Sequence, residues 1–217
     1  MTTTEPKEND ESPFITIKDT FIVGNRLGRG SFGEVYSGKH KWNGKPLAIK
    51  IESLNSKSKI LEHEYKVYKC IYSPNSGISK CYFYGVEQNS AVLVLDLLGK
   101  SLSKLLVDCD GKFSLKTTLM IADQLLTRIE FLHDKNFIHR DLKPDNILVG
   151  RGDQNNKIFL IDYGLSKRYK NSHGLHIPYK DGGKLVGTAR YASANSHEGI
   201  QLSRRDDMIS IGYILVY

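Results

Sequence analysis

The hydrophobic period of the chain changes near Gly99, and that change constrains the fold more than any other feature. Up to residue 98 the apolar residues recur at strand spacing, in FITIKDTFIVGNRLGRG, GEVYSGKHK, KPLAIKIE, ISKCYFYGVE and SAVLVLDLL. Asn43-Gly44 and Gln88-Asn89-Ser90 lie between adjacent runs and predict hairpin turns. One segment breaks the alternation. In residues 58–72, Ile60, Leu61, Tyr65, Tyr68 and Ile71 recur at helical spacing. Beyond Gly99, SLSKLLVDC reads as a short amphipathic helix. Residues 115–135 read as a long one, with Leu115, Leu119, Ala122, Leu125, Leu126, Ile129 and Leu132 as its apolar stripe and Ser114 as its N-cap. Short strands NILVG and KIFLID follow, then a long polar loop over residues 164–203, then a terminal helical pattern, DDMISIGYILVY. Loops of that length in compact domains are usually functional.

The reading is therefore α+β. It comprises an acidic, disordered tail at residues 1–13, a small unit at residues 14–98 with five strands and one helix, and a mainly helical part at residues 99–217. The tail carries four acids against one lysine, a net charge of −3, which leaves +10 on the remainder of a chain whose total is +7. A basic body favours an acidic partner: nucleic acid, nucleotide phosphate, anionic lipid or acidic peptide, among which composition does not choose. None of the recognised nucleic-acid modules is present. The apolar runs are short and interrupted by acids, so no bilayer-spanning helix is expected, and no secretory leader is evident. Cys70, Cys81 and Cys109 have spacings of 11 and 28, which fit no zinc pattern; free thiols in a reducing, intracellular compartment are expected, cytoplasmic with nuclear entry open.

Three stretches carry phosphate chemistry. Gly28-Arg29-Gly30-Ser31-Phe32-Gly33-Glu34-Val35 is GxGxxGxV, in which glycines let backbone approach phosphate. A dinucleotide fold would follow such glycines with a helix, but here strand-like EVYSGKHK follows, so a strand–loop–strand cover over a nucleotide fits better. Lys50 ends the apolar run Leu47-Ala48-Ile49, and Glu64 lies 14 residues later on the expected helix, with Glu62 a rival for the same pairing. A lysine held by such a carboxylate can present its charge to α/β-phosphates. The third stretch is His139-Arg140-Asp141-Leu142-Lys143-Pro144-Asp145-Asn146, with Asp162-Tyr163-Gly164 beginning 16 residues after Asn146. An aspartate can orient an acceptor hydroxyl and take its proton, and a neighbouring lysine can neutralise a transferring phosphoryl. Asn146 and Asp162 supply hard oxygens suited to Mg²⁺.

In GRGSFGEV, LAIK, HRDLKPDN and IDYGLSK, the chain resembles a eukaryotic protein kinase over roughly residues 18–217. LDLLGKSL at 95–102, HIPYKDGGKLVGTARYASANSHEG at 176–199 and SRRDD at 203–207 resemble the casein kinase 1 branch. The resemblance implies a two-lobed kinase fold, with ATP and Mg²⁺ as cofactors and serine/threonine hydroxyls as acceptors. It implies Asp141 as catalytic base, Lys143 at the γ-phosphate, Lys50 braced by Glu64, and Asn146 and Asp162 on the metal. Gly28, Gly30, Ser31 and Gly33 line the phosphate loop; Leu27, Val35, Ala48 and Leu148 enclose adenine; Leu95 is the gatekeeper; and the backbones of Asp96 and Leu98 bond the adenine edge. Arg190, with Arg140 and Lys167 as a second group, implies recognition of acidic or phosphorylated protein substrates. Thr188 is implied beside Asp141 and Lys143, and Asp207 as the tie from the last helix to the catalytic loop.

Two departures accompany these matches. Tyr163 stands where Asp-Phe-Gly is usual, and Ser193-Ala194-Asn195 where most kinases carry Ala-Pro-Glu. The resembling domains run on for several more helices, so the helical part is expected to be truncated. The alternative reading is thus a catalytically weak fragment that binds nucleotide or protein. Met208, Ile209, Ile211, Ile214, Leu215 and Val216 fall on nearly all sides of the last helix, leaving an apolar face open to self-association.

Overall fold

The computed structural model describes residues 15–30, 33–55 and 59–216; the expected acidic tail and Ser31 lie outside them. The described residues form two compact units. The first comprises residues up to Tyr65 together with Cys81–Leu97, and the second Lys66–Lys80 together with Leu98 onward.

The first unit is built on an antiparallel sheet. The five expected strands are present as β2 (Phe21–Gly30), β3 (Gly33–His40), β4 (Pro46–Ser53), β5 (Cys81–Glu87) and β6 (Ser90–Asp96). A two-residue edge strand, β1 (Thr16–Ile17), makes six, in the order β1-β2-β3-β4-β6-β5. The chain turns back on itself through Lys18 and Asp19, both at positive φ, so that Ile17 pairs with Phe21. Periodicity over so short a stretch cannot separate this hairpin from one continuous strand. The β3–β4 turn uses Gly44 at φ 67°, and Gln88 and Asn89 are both left-handed between β5 and β6, as primed hairpin turns require. Ile17, Phe21, Tyr36, Leu47, Ile49, Ile51, Val92 and Val94 form the buried face. Helix α1 (Ile60–Ile71) begins where Glu52, at the end of β4, accepts from the N–H groups of Ile60 and Leu61. A buried carboxylate thereby satisfies two N-terminal donors of the helix.

The second unit holds α2 (Leu102–Asp108), α3 (Leu115–Asp134), β7 (Phe137–Ile138), β8 (Ile147–Val149), β9 (Ile158–Leu160), β10 (Lys167–Arg168), α4 (Ala194–His197) and α5 (Arg204–Val216). Ser101 and Ser114 cap α2 and α3 through their hydroxyls. The apolar stripe of α3 is only partly core. Leu125, Ile129 and Leu132 are buried, as is Ile121, which the stripe omitted, whereas Leu115, Leu119 and Leu126 are exposed. Along α5, Ile211 and Ile214 are buried, while Met208, Ile209, Tyr213 and Val216 are exposed. Among the described residues no helix is long and apolar enough to cross a membrane.

The division of α3 predicts unequal costs. Leu125→Ala, at 0% exposure, should cost about 2–5 kcal/mol through lost burial and a residual cavity. Leu119→Ala, at 60% exposure, should cost less than about 0.5 kcal/mol. Urea unfolding followed by circular dichroism reads both; equal costs would contradict the packing described.

Candidate active site

Each unit holds its own constellation. In the first, the Lys50 ammonium donates to Glu64 Oε2 at 2.6 Å. Lys50 lies on β4, between the register pairs that β4 makes with β3 and β6, so its backbone is held on both sides. The Glu52 cap fixes the start of α1, and Glu64, the second of that helix's two acids, reaches the lysine. Of the two acids that spacing left open, Glu64, the one the resemblance implied, meets Lys50.

The glycine stretch includes the facing ends of β2 and β3, where Gly30 pairs with Gly33. Gly33 has φ 138°, and a Cβ there would lie 2.3 Å from the Ile51 carbonyl oxygen, so only glycine fits. A Cβ on Gly28 or Gly30 would meet no atom within 4 Å, which leaves the approach to those backbones open. Next to Gly33 on β3, Glu34 accepts from Tyr36 Oη at 2.7 Å and from Arg26 at 3.3 Å. Burial and this bond to Glu34 push the Tyr36 hydroxyl up to about 12. Leu27 is exposed, Val35 and Ala48 are half-buried, and Leu95 is buried opposite Ala48 on β6. Asp96 and Leu98 lie at the end of β6 and just beyond it, both half-buried.

In the second unit the residues of the 139–146 stretch converge. Asp141 Oδ1 accepts from the Thr188 N–H at 2.8 Å and the Thr188 hydroxyl at 2.7 Å. Its Oδ2 accepts from the Lys143 ammonium at 2.8 Å and Asn146 Nδ2 at 3.3 Å. Lys143 also donates to Thr188 Oγ1, so the three side chains close a ring. Asn146 Nδ2 donates in addition to the Asp141 carbonyl, which leaves the amide oxygen of Asn146 as its acceptor for a hard cation. Asp162, left-handed at φ 66°, follows Ile161, whose N–H donates to the Asn146 carbonyl at 3.0 Å, and its carboxylate is of the hard-oxygen type that suits such a cation. Gly187 makes the approach of Thr188 possible: at φ 89°, its Cβ would lie 2.4 Å from the Arg140 carbonyl oxygen.

Arg140 is itself left-handed, at φ 71°. Such a conformation in a non-glycine residue persists only where its surroundings impose it. Here Asp207 on α5 accepts from the N–H groups of His139 and Arg140, each at 2.9 Å, and from His133 Nε2 at 2.9 Å. The neighbouring Asp206 accepts from Ser193 Oγ, Asn195 Nδ2 and the Ser203 N–H. Both divergent polar side chains of Ser193-Ala194-Asn195 therefore have a partner on α5. Tyr163 is fully buried; its ring meets Tyr68 and His139, and its hydroxyl donates to the Leu160 carbonyl at 3.1 Å. The added hydroxyl is thus satisfied.

The basic residues of the loop form a further group. Arg140 Nε donates to the Leu165 carbonyl, and Lys167 donates to Gln201 at 2.7 Å. Burial lowers Lys167, and the positive charges of Arg140 and Lys180 lower it further; burial also lowers Arg140. Arg190 is exposed on the short turn after Thr188, and Leu148 is half-buried on β8, paired with Phe159. Sequence reasoning missed Lys180 here, along with His133 beside Asp207 and the Lys45 and Tyr82 partners of Asp96. None lies in a local motif. Only the fold brings positions so far apart in the chain together.

A family model described as the protein kinase domain matches residues 21–217.

The Lys50–Glu64 pair predicts an asymmetry. Glu64 is 1% exposed and Lys50 18%. Lys50→Met removes the cation facing a deeply buried carboxylate and should cost about 3 kcal/mol. Glu64→Gln leaves an ammonium that reaches water and should cost less than about 2 kcal/mol. Chemical denaturation of the two variants checks the order; a larger cost for Glu64→Gln would contradict it.

Proposed function

The chain belongs to the protein kinase family, and we propose that it is a serine/threonine kinase of the casein kinase 1 type, directed to acidic or phosphorylated protein substrates. The observation that carries this reading is the ring formed by Asp141, Lys143 and Thr188. It presents a carboxylate and an ammonium side by side on a rigid loop. A substrate hydroxyl at Asp141 would be oriented and would pass its proton to the carboxylate. Its oxygen forms a bond to the γ-phosphorus of ATP while the bond from that phosphorus to the β–γ bridging oxygen breaks, leaving ADP. Lys143 offsets charge on the transferring group, and Lys50 holds the α/β-phosphates.

The oxygens of Asn146 and Asp162 suit Mg²⁺. When bound, that ion supplies charge neutralisation at the phosphates. Lys143 beside Asp141, within HRDLKPDN, supports serine/threonine rather than tyrosine acceptors. The acidic preference rests on Arg190, which is exposed, and on the Arg140–Lys167–Lys180 group, whose crowded charges favour an anion.

Transfer of γ-phosphoryl from ATP to peptides tests both parts. Asp162→Asn should lower transfer about 10²-fold or more, on the scale of deleting one transition-state donor. Arg190→Ala should lose about 1.5–3 kcal/mol, roughly ten- to hundredfold, on peptides with an upstream acidic or phosphorylated residue, and little on neutral ones. Transfer by Asp162→Asn equal to the parent would contradict the kinase reading. Equal losses on both peptide classes would make Arg190 structural.

A further inference from the structure

Three residues from distant parts of the first unit meet at the end of β6. Tyr82 Oη donates to Asp96 Oδ1 at 2.7 Å, and the Lys45 ammonium reaches the same oxygen at 2.9 Å. Lys45 also donates to Tyr82 Oη, closing a triangle, and its ammonium lies 4.6 Å from the centroid of the Tyr82 ring. Burial pushes the Tyr82 hydroxyl up, and its bond to Tyr82 pushes Lys45 up.

The backbone is shaped for this meeting. On β5, Cys81 pairs with Leu95 and Phe83 with Val94, so Tyr82 is the extra residue of a bulge. Bulges re-aim a side chain at the cost of one ladder position. Lys45 is held in its turn, where its N–H donates to Asn43 Oδ1 and its carbonyl accepts from the His40 N–H. Pro46 follows and restricts the backbone further. Both donors are therefore delivered by constrained segments rather than by mobile loops. Their acceptor, Asp96, makes the last register pair of β6, opposite Leu47. Beyond it the chain leaves the ladder.

We propose that the Lys45–Tyr82–Asp96 triangle positions the strand end that reads the adenine edge, and that Tyr82 is a positioning residue for nucleotide selectivity. The inference rests on the kinase reading, in which the backbones of Asp96 and Leu98 bond adenine. The β6 ladder ends at Asp96, and Gly99 is held by its N–H bond to the Val149 carbonyl at 2.8 Å; the carboxylate tether adds a restraint at the start of the span between them. It limits rotation of the peptide groups that follow. Loosening it weakens the contacts that depend on their direction and spares those made to phosphate by Lys50 and the glycine stretch.

The test is isothermal titration of the full chain with MgATP and with MgITP, whose base edge carries the opposite donor and acceptor pattern. Tyr82→Phe removes one hydroxyl and keeps the ring. It should weaken MgATP about three- to tenfold, the scale of a partly exposed hydrogen bond to a charged group, and MgITP by less than about twofold, with the melting temperature within about 2 °C of the parent. Lys45→Met should reproduce the selective loss. Unchanged MgATP affinity in Tyr82→Phe, equal losses for both nucleotides, or full ATP preference in Lys45→Met would each overturn the positioning role. A parent that binds MgATP without preferring it over MgITP would overturn the adenine-edge assignment on which that role depends. A parent that binds neither nucleotide would overturn the kinase reading as well.

Discussion

The buried carboxylate of Asp207 is the constraint on which the second unit depends. At 2% exposure it accepts from His133 and from the N–H groups of His139 and Arg140. Two adjacent amides aimed at one carboxylate hold Arg140 in the left-handed region, and the chain turns there so that Asp141 meets Thr188, Lys143 and Asn146. A buried charge is costly unless fully hydrogen-bonded, and three donors meet that requirement. The arrangement joins helix α3, the catalytic loop and helix α5 through one side chain. Asp206, one residue earlier, does the same for the Ser193–Asn195 turn. Both acids lie in the first turn of α5, where the helix dipole favours negative charge.

The first unit uses the same device on a different element. Glu52 caps α1 from the end of β4, and α1 in turn carries Glu64 to Lys50. In each unit a buried acid fixes a backbone, and that backbone positions a charged side chain, Glu64 against Lys50 in the first and Asp141 against Lys143 in the second. Glycines act where side chains cannot fit. Gly33 admits the close approach of β3 to the Ile51 carbonyl, and Gly187 admits Thr188 beside the backbone of Arg140. The candidate site residues therefore sit on loops whose geometry is imposed from helices and strands.

Much of this was legible in the sequence, for identifiable reasons. The hairpin turns announce themselves through Asn-Gly and Gln-Asn. Helix α3 announces its start through Ser114, and the phosphate motifs through residue types that the chemistry demands. Edge strand β1 was not legible, because two residues carry no period. The α3 stripe was overread, because periodicity shows which face is apolar and not how far along it the packing extends; Leu125 is covered and Leu119 is not. Glu64 could not be told from Glu62 by spacing, since that choice depends on the rotation of α1 set by Glu52. His133, Lys180, Lys45 and Tyr82 were invisible for a further reason. Their roles depend on partners 74, 13, 51 and 14 positions away in chains of contact that only the fold creates.

The central claim, that Asp207 imposes the catalytic-loop backbone, is tested most directly by amide hydrogen exchange at His139 and Arg140. In the parent these two N–H groups are bonded to a buried carboxylate and should exchange only when α5 opens. In Asp207→Asn, one acceptor oxygen is replaced by a donor, and exchange at both positions should rise about tenfold or more, with Val92–Val94 in the sheet unchanged. Retained protection at His139 and Arg140 in that variant would contradict the account.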